Sequence, residues 1–459
     1  MTFPASLQGA RVTVVGLARS GVAAARLAAR EGARVTVTDR RAAAELAPQL
    51  RALEGARARA ALGGHDPADF TGADLVVVSP GVPLSIPPLA AARAAGVPVV
   101  GEVELAWRFL PGLPVVGITG TNGKSTTTAL TAALFAQHRP TFAGGNLGTP
   151  LSELVLDGGR AEVAVVELSS FQLEGIETFR PAVAAITNVT PDHLDRYADV
   201  AAYAAAKGRL FANQGPADFA VANARDEEAL RLARASRGAL HTFGFGPPAP
   251  RAARSPEAAA SEVTVRLADG PEERYAVRSR ALRGGHNREN AMAAILCARL
   301  LGVPPDAVRR GLDAFPGLPH RLELVREREG VEWVNDSKGT NVDSTAVGLA
   351  AFPAGRPSVL LIMGGHGKGA PYAPLRALFP GRVKALLTIG EDAPAVEREL
   401  GDLCPLERCG TLDRAVTRAA ALAGAGDVVL LSPACSSYDQ FENYEQRGAV
   451  FRRLVEELP

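Results

Sequence analysis

The run Val116-Gly-Ile-Thr-Gly-Thr-Asn-Gly-Lys-Ser-Thr126 has the residue types needed to hold a polyphosphate. Gly120 and Gly123 let the backbone turn its N–H groups inward, with Thr121 and Asn122 between them. A helix opening at this point adds a favourable dipole. Lys124 can then reach the β- and γ-phosphates, and the Ser125 hydroxyl, followed by Thr126, can ligate Mg²⁺. The pattern departs from the common phosphate loop, because Ile118 stands where the first glycine would fall. A glycine-rich strand–helix turn without a ligand is the rival reading, and the Gly-Lys-Ser-Thr step argues against it.

Other polar residues follow short apolar runs, where open α/β sheets bind their ligands. Glu167 ends Val163–Val166 and is followed by Leu-Ser-Ser-Phe-Gln172. His193 follows the run 182–187, and Asn146 lies in Gly-Gly-Asn-Leu-Gly. Glu167 suits Mg²⁺, which prefers oxygen ligands. Lys207, in Tyr-Ala-Ala-Ala-Lys-Gly-Arg, reads by spacing alone as an exposed helix lysine. Near the start, Gly16-Leu-Ala-Arg-Ser-Gly21 follows an apolar run, and Asp39 ends the next one. A dinucleotide fold places its ribose-binding acid at such a position. A dehydrogenase is therefore a rival reading, weakened by Ala18 in place of the second glycine and by the phosphate loop downstream.

The elements that must position these groups form three α/β blocks over 459 residues: 1–102, 103–317 and 318–459. In each, short Val/Ile/Leu runs alternate with Ala-rich helical stretches, which implies parallel sheets covered by helices. The expected strands include Arg11–Val15, Arg34–Thr38 and Asp74–Val78 in the first block. The second has Pro114–Ile118, Glu162–Glu167 and Ala182–Thr187, with Ser261–Leu267 and Glu273–Val277 as a hairpin. The third has Ser358–Met363, Ala385–Ile389 and Asp427–Leu431. The Pro/Ala/Arg-rich stretch 247–257 reads as a surface loop, and the arginines of 51–59 as solvated helix faces. A net charge of +1 gives no field favouring nucleic acid or an anionic membrane. No apolar run approaches membrane-spanning length. The four cysteines contain no CxxC pair, which fits a reducing compartment. The expectation is a cytoplasmic monomer.

The loop at 119–126 resembles the ATP loop of the Mur ligase family. So do three later motifs in order: Gly317-Leu-Pro-His-Arg321, Asn335-Asp-Ser-Lys-Gly-Thr-Asn341, and the long run from Ser432-Pro-Ala-Cys-Ser-Ser-Tyr to Glu445-Gln-Arg-Gly448. The resemblance covers all three blocks. It implies a Rossmann-like N-terminal domain, a central ATPase domain of P-loop type with a mainly parallel sheet, and a Rossmann-like C-terminal domain. It also implies an ATP-dependent ligase that forms an acyl phosphate and lets an amine attack it. The later motifs point to the branch that adds D-glutamate to UDP-N-acetylmuramoyl-L-alanine. That reaction serves peptidoglycan synthesis, and through it cell shape, division and the cell cycle.

Residue roles follow from the same resemblance. Lys207 would be carbamylated and join His193 at a second Mg²⁺, while Ser125 and Glu167 serve the first. Arg321, Asp336, Lys338 and Thr340 would reach toward ATP and the acyl phosphate, and Asn287 and Asn290 toward adenine. Arg19, Ser20, Asp39, Arg40, Ser79 and Gly81 would hold the uridine diphosphate, with Asn146 and Gln172 also on the substrate side. Lys368, Ser437 and Tyr444 would hold D-glutamate, a dicarboxylate that needs cations and N–H or O–H donors. Tyr444 stands where the family often has Phe, and Tyr438 replaces a smaller apolar residue; core packing is the rival reading for both tyrosines.

Overall fold

The computed structural model describes residues 3–146, 148–194, 196–257, 261–268 and 270–459. Leu147, inside the Asn146 motif quoted above, and Asp195 lie outside the described residues, as do the first two residues of the opening block. The chain divides into two compact units. One comprises Met1–Pro256, Glu262–Ala276 and Glu289–Leu312; the other comprises Glu257–Ser261, Val277–Arg288 and Asp313–Pro459.

The first unit holds two sheets. The smaller is wholly parallel, with Arg11–Val15 at its centre. Arg34–Asp39 and then Arg59–Leu62 lie on one side, Leu75–Val78 and then Val99–Gly101 on the other. Its central strands are buried on both faces, which explains their unbroken Val/Leu runs. The larger sheet has nine strands. Seven are parallel, in the spatial order Thr141–Gly145, Val163–Glu167, Val115–Thr119, Val183–Ile186, Phe219–Asn223, Ala239–Phe245 and Ala252–Ser255. The antiparallel hairpin of Glu262–Arg266 and Glu272–Ala276 extends the sheet.

Most strands fall within a residue or two of the expected limits, but two readings are corrected. Within 247–257, expected to be surface loop, Ala252–Ser255 is a largely buried strand. The small Ala252 and Ala253 side chains let it lie between a parallel and an antiparallel neighbour. In 51–59 only Arg51 lies on a helix; Arg57 sits in a left-handed turn and Arg59 opens a strand.

Glu104 ties the small sheet's last helix, Glu102–Trp107, to a turn of the large-sheet segment. Its buried carboxylate accepts the backbone N–H groups of Glu177, Thr178 and Phe179 at 2.8–3.0 Å. The Thr178 hydroxyl donates at 2.6 Å and Arg108 Nε at 2.8 Å. Burial pushes the Glu104 carboxyl upward, but these donors outweigh it and hold it below the usual carboxylate range. Nearby, Gly101 N–H donates to the Gly175 carbonyl at 2.7 Å, and Arg196 Nη1 donates to the Pro80 carbonyl at 3.0 Å.

The second unit has a six-stranded sheet in the order Glu323–Arg328, Val331–Asn335, Val428–Leu431, Val359–Gly364, Val383–Ile389, Leu406–Gly410. Only the first pair is antiparallel. Apolar side chains cover both faces, with Leu361, Met363, Leu386 and Leu430 on one and Leu360, Ile362, Leu387 and Phe451 on the other. The expected motif residues lie just beyond the carboxyl ends of Val331–Asn335, Val359–Gly364 and Val428–Leu431.

Replacing Glu104 by Ala leaves five donors, the buried Phe179 N–H among them, without their acceptor. The expected loss of unfolding free energy is about 3 kcal/mol. Urea unfolding of the full chain, followed by Trp107 fluorescence in a Trp333→Phe background, measures it.

Candidate active site

In the first unit the phosphate-type loop leaves the large sheet at Thr119 and enters the helix Lys124–Ala136. Gly123 precedes the helix at φ +84°, and a Cβ there would overlap the Asn290 side-chain oxygen. The neighbouring strand end pins the loop. Thr187 Oγ1 donates to the Asn122 carbonyl at 2.6 Å. The Asn188 amide both accepts Asn122 N–H at 2.8 Å and donates to the Asn122 carbonyl at 3.0 Å. Thr121 Oγ1 donates to the Thr190 carbonyl at 3.1 Å and accepts Thr190 N–H at 3.0 Å. Asn290 accepts the Thr127 hydroxyl at 3.2 Å. Ser125, in the first helical turn, is buried, while Thr126 is half-buried.

Lys207 departs most sharply from its local reading. It is 1% exposed, not an open helix lysine. The helix Val200–Gly208 carries it inward because its Ala-rich face packs against the domain interior. Its ammonium donates to the Gly120 carbonyl at 2.8 Å and lies 4.3 Å from the Tyr203 ring centroid. Lys124 donates to the same Gly120 carbonyl at 3.0 Å and to Thr121 at 2.9 Å. Burial, then the charge of Lys124, pushes the Lys207 amine down to about 7.

Glu167 is buried at the carboxyl end of Val163–Glu167. Asn146 Nδ2 donates to its Oε1 at 2.6 Å, while Oε2 is buried without a hydrogen-bond partner. His193, at φ +54°, is half-exposed beside Asp192, and its ring stands 6.0 Å from that of Tyr203. Tyr203 therefore meets both Lys207 and His193. Among the described residues no group of three His, Cys, Asp or Glu side chains is arranged to hold a metal. The unpartnered Glu167 oxygen and the Ser125 hydroxyl are hard donors of the kind that Mg²⁺ prefers.

Several residues expected to face substrate spend their polar groups internally. Asp39 accepts Leu17 N–H at 2.8 Å and is gripped by Arg41 through two guanidinium nitrogens at 3.0 and 2.8 Å. Arg41 holds its carboxyl well below the usual carboxylate range. Ser79 Oγ donates to the Gly16 carbonyl at 2.7 Å, closing the glycine turn. Gln172 caps its own helix through Ser169. Arg19, Arg40 and Gly81 are exposed, and Ser20 half-buried.

The second unit gathers another set. Arg321 lies between two non-glycine residues in the left-handed region, His320 and Leu322. Asn287, on the helix Gly285–Leu300, donates to the Arg283 carbonyl at 3.1 Å. Asp336 is turned inward: its carboxylate accepts the Ser432 hydroxyl at 2.8 Å and lies against Gly339 and Gly348. Thr340 is half-buried. Lys338 donates to the Tyr444 hydroxyl at 2.9 Å. Lys368 is exposed in the loop after Val359–Gly364, and Ser437 is buried in the loop after Val428–Leu431. These loops are bridged, since His366 and Ser436 exchange backbone hydrogen bonds at 3.0 and 3.1 Å. Tyr438 is 72% exposed, so it takes no part in a core.

Arg447 was legible only as one letter of a motif, yet it organises this set. It is 1% exposed and donates to Ser337 Oγ and to the carbonyls of Ser337, Cys435 and Ser436 at 2.9–3.3 Å. Its guanidinium ties the Asn335–Lys338 turn to the Cys435–Ser437 loop.

Three mainly parallel sheets, with a glycine loop between strand and helix in the largest, define a multi-sheet α/β protein of the phosphate-loop type. Residues 10–101, 118–298 and 320–435 match the family descriptions "Mur ligase MurD-like, N-terminal domain", "Mur ligase middle domain" and "Mur ligase, glutamate ligase domain". The chain is 72% identical to the UDP-N-acetylmuramoylalanine–D-glutamate ligase of Anaeromyxobacter dehalogenans, over 98% of both chains. It is 54% identical to the protein of that name from Myxococcus xanthus, over 99% of both. The chain belongs to the Mur ligase family. Its fold is shared with MurF from Acinetobacter baumannii (TM-score 0.63, 17% identity, covering 97% of this chain and 93% of that one). It is also shared with the UDP-N-acetylmuramate-alanine ligase of Thermotoga maritima (TM-score 0.60, 20% identity, covering 97% and 99%).

Burial raises the Asp336 carboxyl from 3.8 to about 7, against the hydrogen bonds from Ser432 and Leu322. Between those values the folded chain binds more protons than the unfolded one, so this group's contribution to stability falls as pH rises. Asp336→Asn removes the titration. The melting temperature of the wild type minus that of the variant is expected to decrease from about pH 4 to about pH 8, as read by calorimetry of the full chain.

Proposed function

We propose that this protein joins D-glutamate to UDP-N-acetylmuramoyl-L-alanine at the expense of ATP, as a cytoplasmic monomer in peptidoglycan precursor synthesis. The observation that carries the reading is the full-length 72% identity to a relative named for that ligation. The loop geometry supports it. We take residues 1–102 as the uridine-nucleotide domain, 103–317 as the ATP domain and 318–459 as the amino-acid domain.

In this reading the L-alanyl carboxylate attacks the γ-phosphate of ATP, displacing ADP and forming an acyl phosphate. The D-glutamate amine then attacks the acyl carbon, and the tetrahedral adduct expels phosphate. Gly120–Thr126 cradle the polyphosphate through backbone N–H groups and the Lys124 ammonium. Asn287 and Asn290 serve the adenine side. Arg321, Asp336, Lys338 and Thr340 are assigned to the transferring phosphoryl group, where positioning and positive charge do most of the work. Arg19, Ser20, Arg40 and Gly81 are free to meet the nucleotide, while Asp39 and Ser79 shape the turn that receives it. Asn146 and Gln172 complete that side. Lys368, Ser437 and Tyr444 are assigned to the amino acid.

Mg²⁺, held by Ser125, Glu167, His193 and a carbamylated Lys207 at two positions, would neutralise charge on the phosphate oxygens. The structure makes a carbamate at Lys207 chemically reasonable. An ammonium cannot ligate a cation, whereas burial brings this amine to about 7 and leaves much of it as the free base that adds to CO₂. The added negative charge also replaces the repulsion between Lys207 and Lys124 with attraction.

Two experiments test these assignments. Phosphate release with UDP-N-acetylmuramoyl-L-alanine, MgATP and a panel of single amino acids should occur with D-glutamate and be abolished by Lys124→Ala. Release with another amino acid instead would overturn the roles of Lys368, Ser437 and Tyr444. In ¹³C-bicarbonate, a protein carbamate resonance should be present in wild type and absent in Lys207→Arg. Its intensity should grow from about pH 6 to about pH 8 as the amine loses its proton. Equal signals in both proteins would remove the carbamate from the site.

A further inference from the structure

Lys338 is fixed at both ends. Its N–H donates to the His320 carbonyl at 3.1 Å. The Ser337 hydroxyl before it donates to the Tyr444 carbonyl at 2.8 Å and accepts Arg447 Nε at 3.0 Å. The backbone of this turn is thus bound to the first turn of the helix Tyr444–Glu456. The Tyr444 ring is held in the same place. The His320 ring stands edge-on to it at 6.2 Å. Asn335 Nδ2 approaches His320 Nδ1 at 3.0 Å, and the imidazole lies over Gly448, where any Cβ would overlap it. With backbone and ring both set, the flexible part left is the four-carbon stem of Lys338, which carries large rotamer entropy. Its ammonium meets the Tyr444 hydroxyl at 2.9 Å and lies 4.1 Å from the same ring's centroid.

We propose that the Tyr444 hydroxyl is a positioning group for Lys338, holding its ammonium in one rotamer so that its other N–H donors face the phosphoryl oxygens. The inference rests on the ligase reading above and deepens it, because it makes Tyr444 serve the phosphate end of the site and not only the amino acid. A phenol suits this task. Its oxygen accepts from an ammonium without neutralising it, and its ring face attracts the same cation. Phe at this position would keep the ring and lose the acceptor.

Tyr444→Phe separates the two contributions. The variant is expected to lower kcat about fivefold while leaving KM for D-glutamate within about twofold. In a Lys338→Ala background the same change should alter residual turnover by less than about twofold, since its target is gone. A raised KM for D-glutamate with unchanged kcat would overturn the proposal, as would an equal loss in the Lys338→Ala background or no loss at all. A second readout is independent of turnover. Acetic anhydride labelling of the free protein, followed by peptide mass spectrometry, should modify Lys338 at least about threefold faster in Tyr444→Phe. An unchanged labelling rate would overturn the positioning role. Wild type inactive on these substrates but showing the labelling difference would discard the ligase reading and keep the lysine–tyrosine pair.

Discussion

One carbonyl oxygen, that of Gly120, receives two ammonium groups. Lys124 comes from the helix that follows the loop, and Lys207 from a helix far along the chain. Burial of Lys207 and the repulsion between the two ammonium groups that meet there favour loss of charge at this more deeply buried lysine. The surroundings are built to keep this carbonyl where it is. Thr187 and Asn188 fasten the loop to the adjacent parallel strand, and the Tyr203 ring lies against the Lys207 ammonium. The two lysines converge because that oxygen is held, and the basicity of Lys207 is then lowered first by burial and second by the charge of Lys124.

The second unit handles a buried cation by another route. Among the described residues no carboxylate lies at hydrogen-bond distance from Arg447; backbone carbonyls and the Ser337 hydroxyl surround it. Burial lowers it only to about 10, so it keeps its proton. A planar guanidinium offers five N–H donors in a fixed fork, enough to join carbonyls and a hydroxyl from two loops at once. The first unit thus keeps an amine whose proton is easily lost, and the second a cation whose charge is permanent. Chemistry suits the former, and architecture the latter.

Local features were the legible ones. The strand–loop–helix step at 115–136 is contiguous, and its glycines, lysine and hydroxyl follow one another in the chain. Parallel strands buried on both faces also announced themselves as apolar runs. Lys207 did not, because a lysine in an Ala-rich helix looks the same whether its face is buried or open, and only the fold brings it to Gly120. Asp39 is legible as the residue that closes an apolar run, whereas Ser79, Gln172 and Asp336 are named only through the family resemblance. Their hydrogen bonds show that such residues first satisfy the turns they sit in. The strand Ala252–Ser255 escaped notice because two alanines and an arginine carry little β propensity; its neighbours' unpaired edges supply the reason for it.

Glu104 also bears on how such a chain can be shuffled in evolution. Its acceptors reach across to residues 177–179, Gly101 meets Gly175, and Arg196 reaches back to Pro80. A crossover just after the helix Glu102–Trp107, exchanging only the segment up to there with a distant relative, would separate Pro80, Gly101 and Glu104 from these partners. The heritable module is therefore the pair of sheets together. A graft that respects it must carry the residues near 175–196 along with the opening segment.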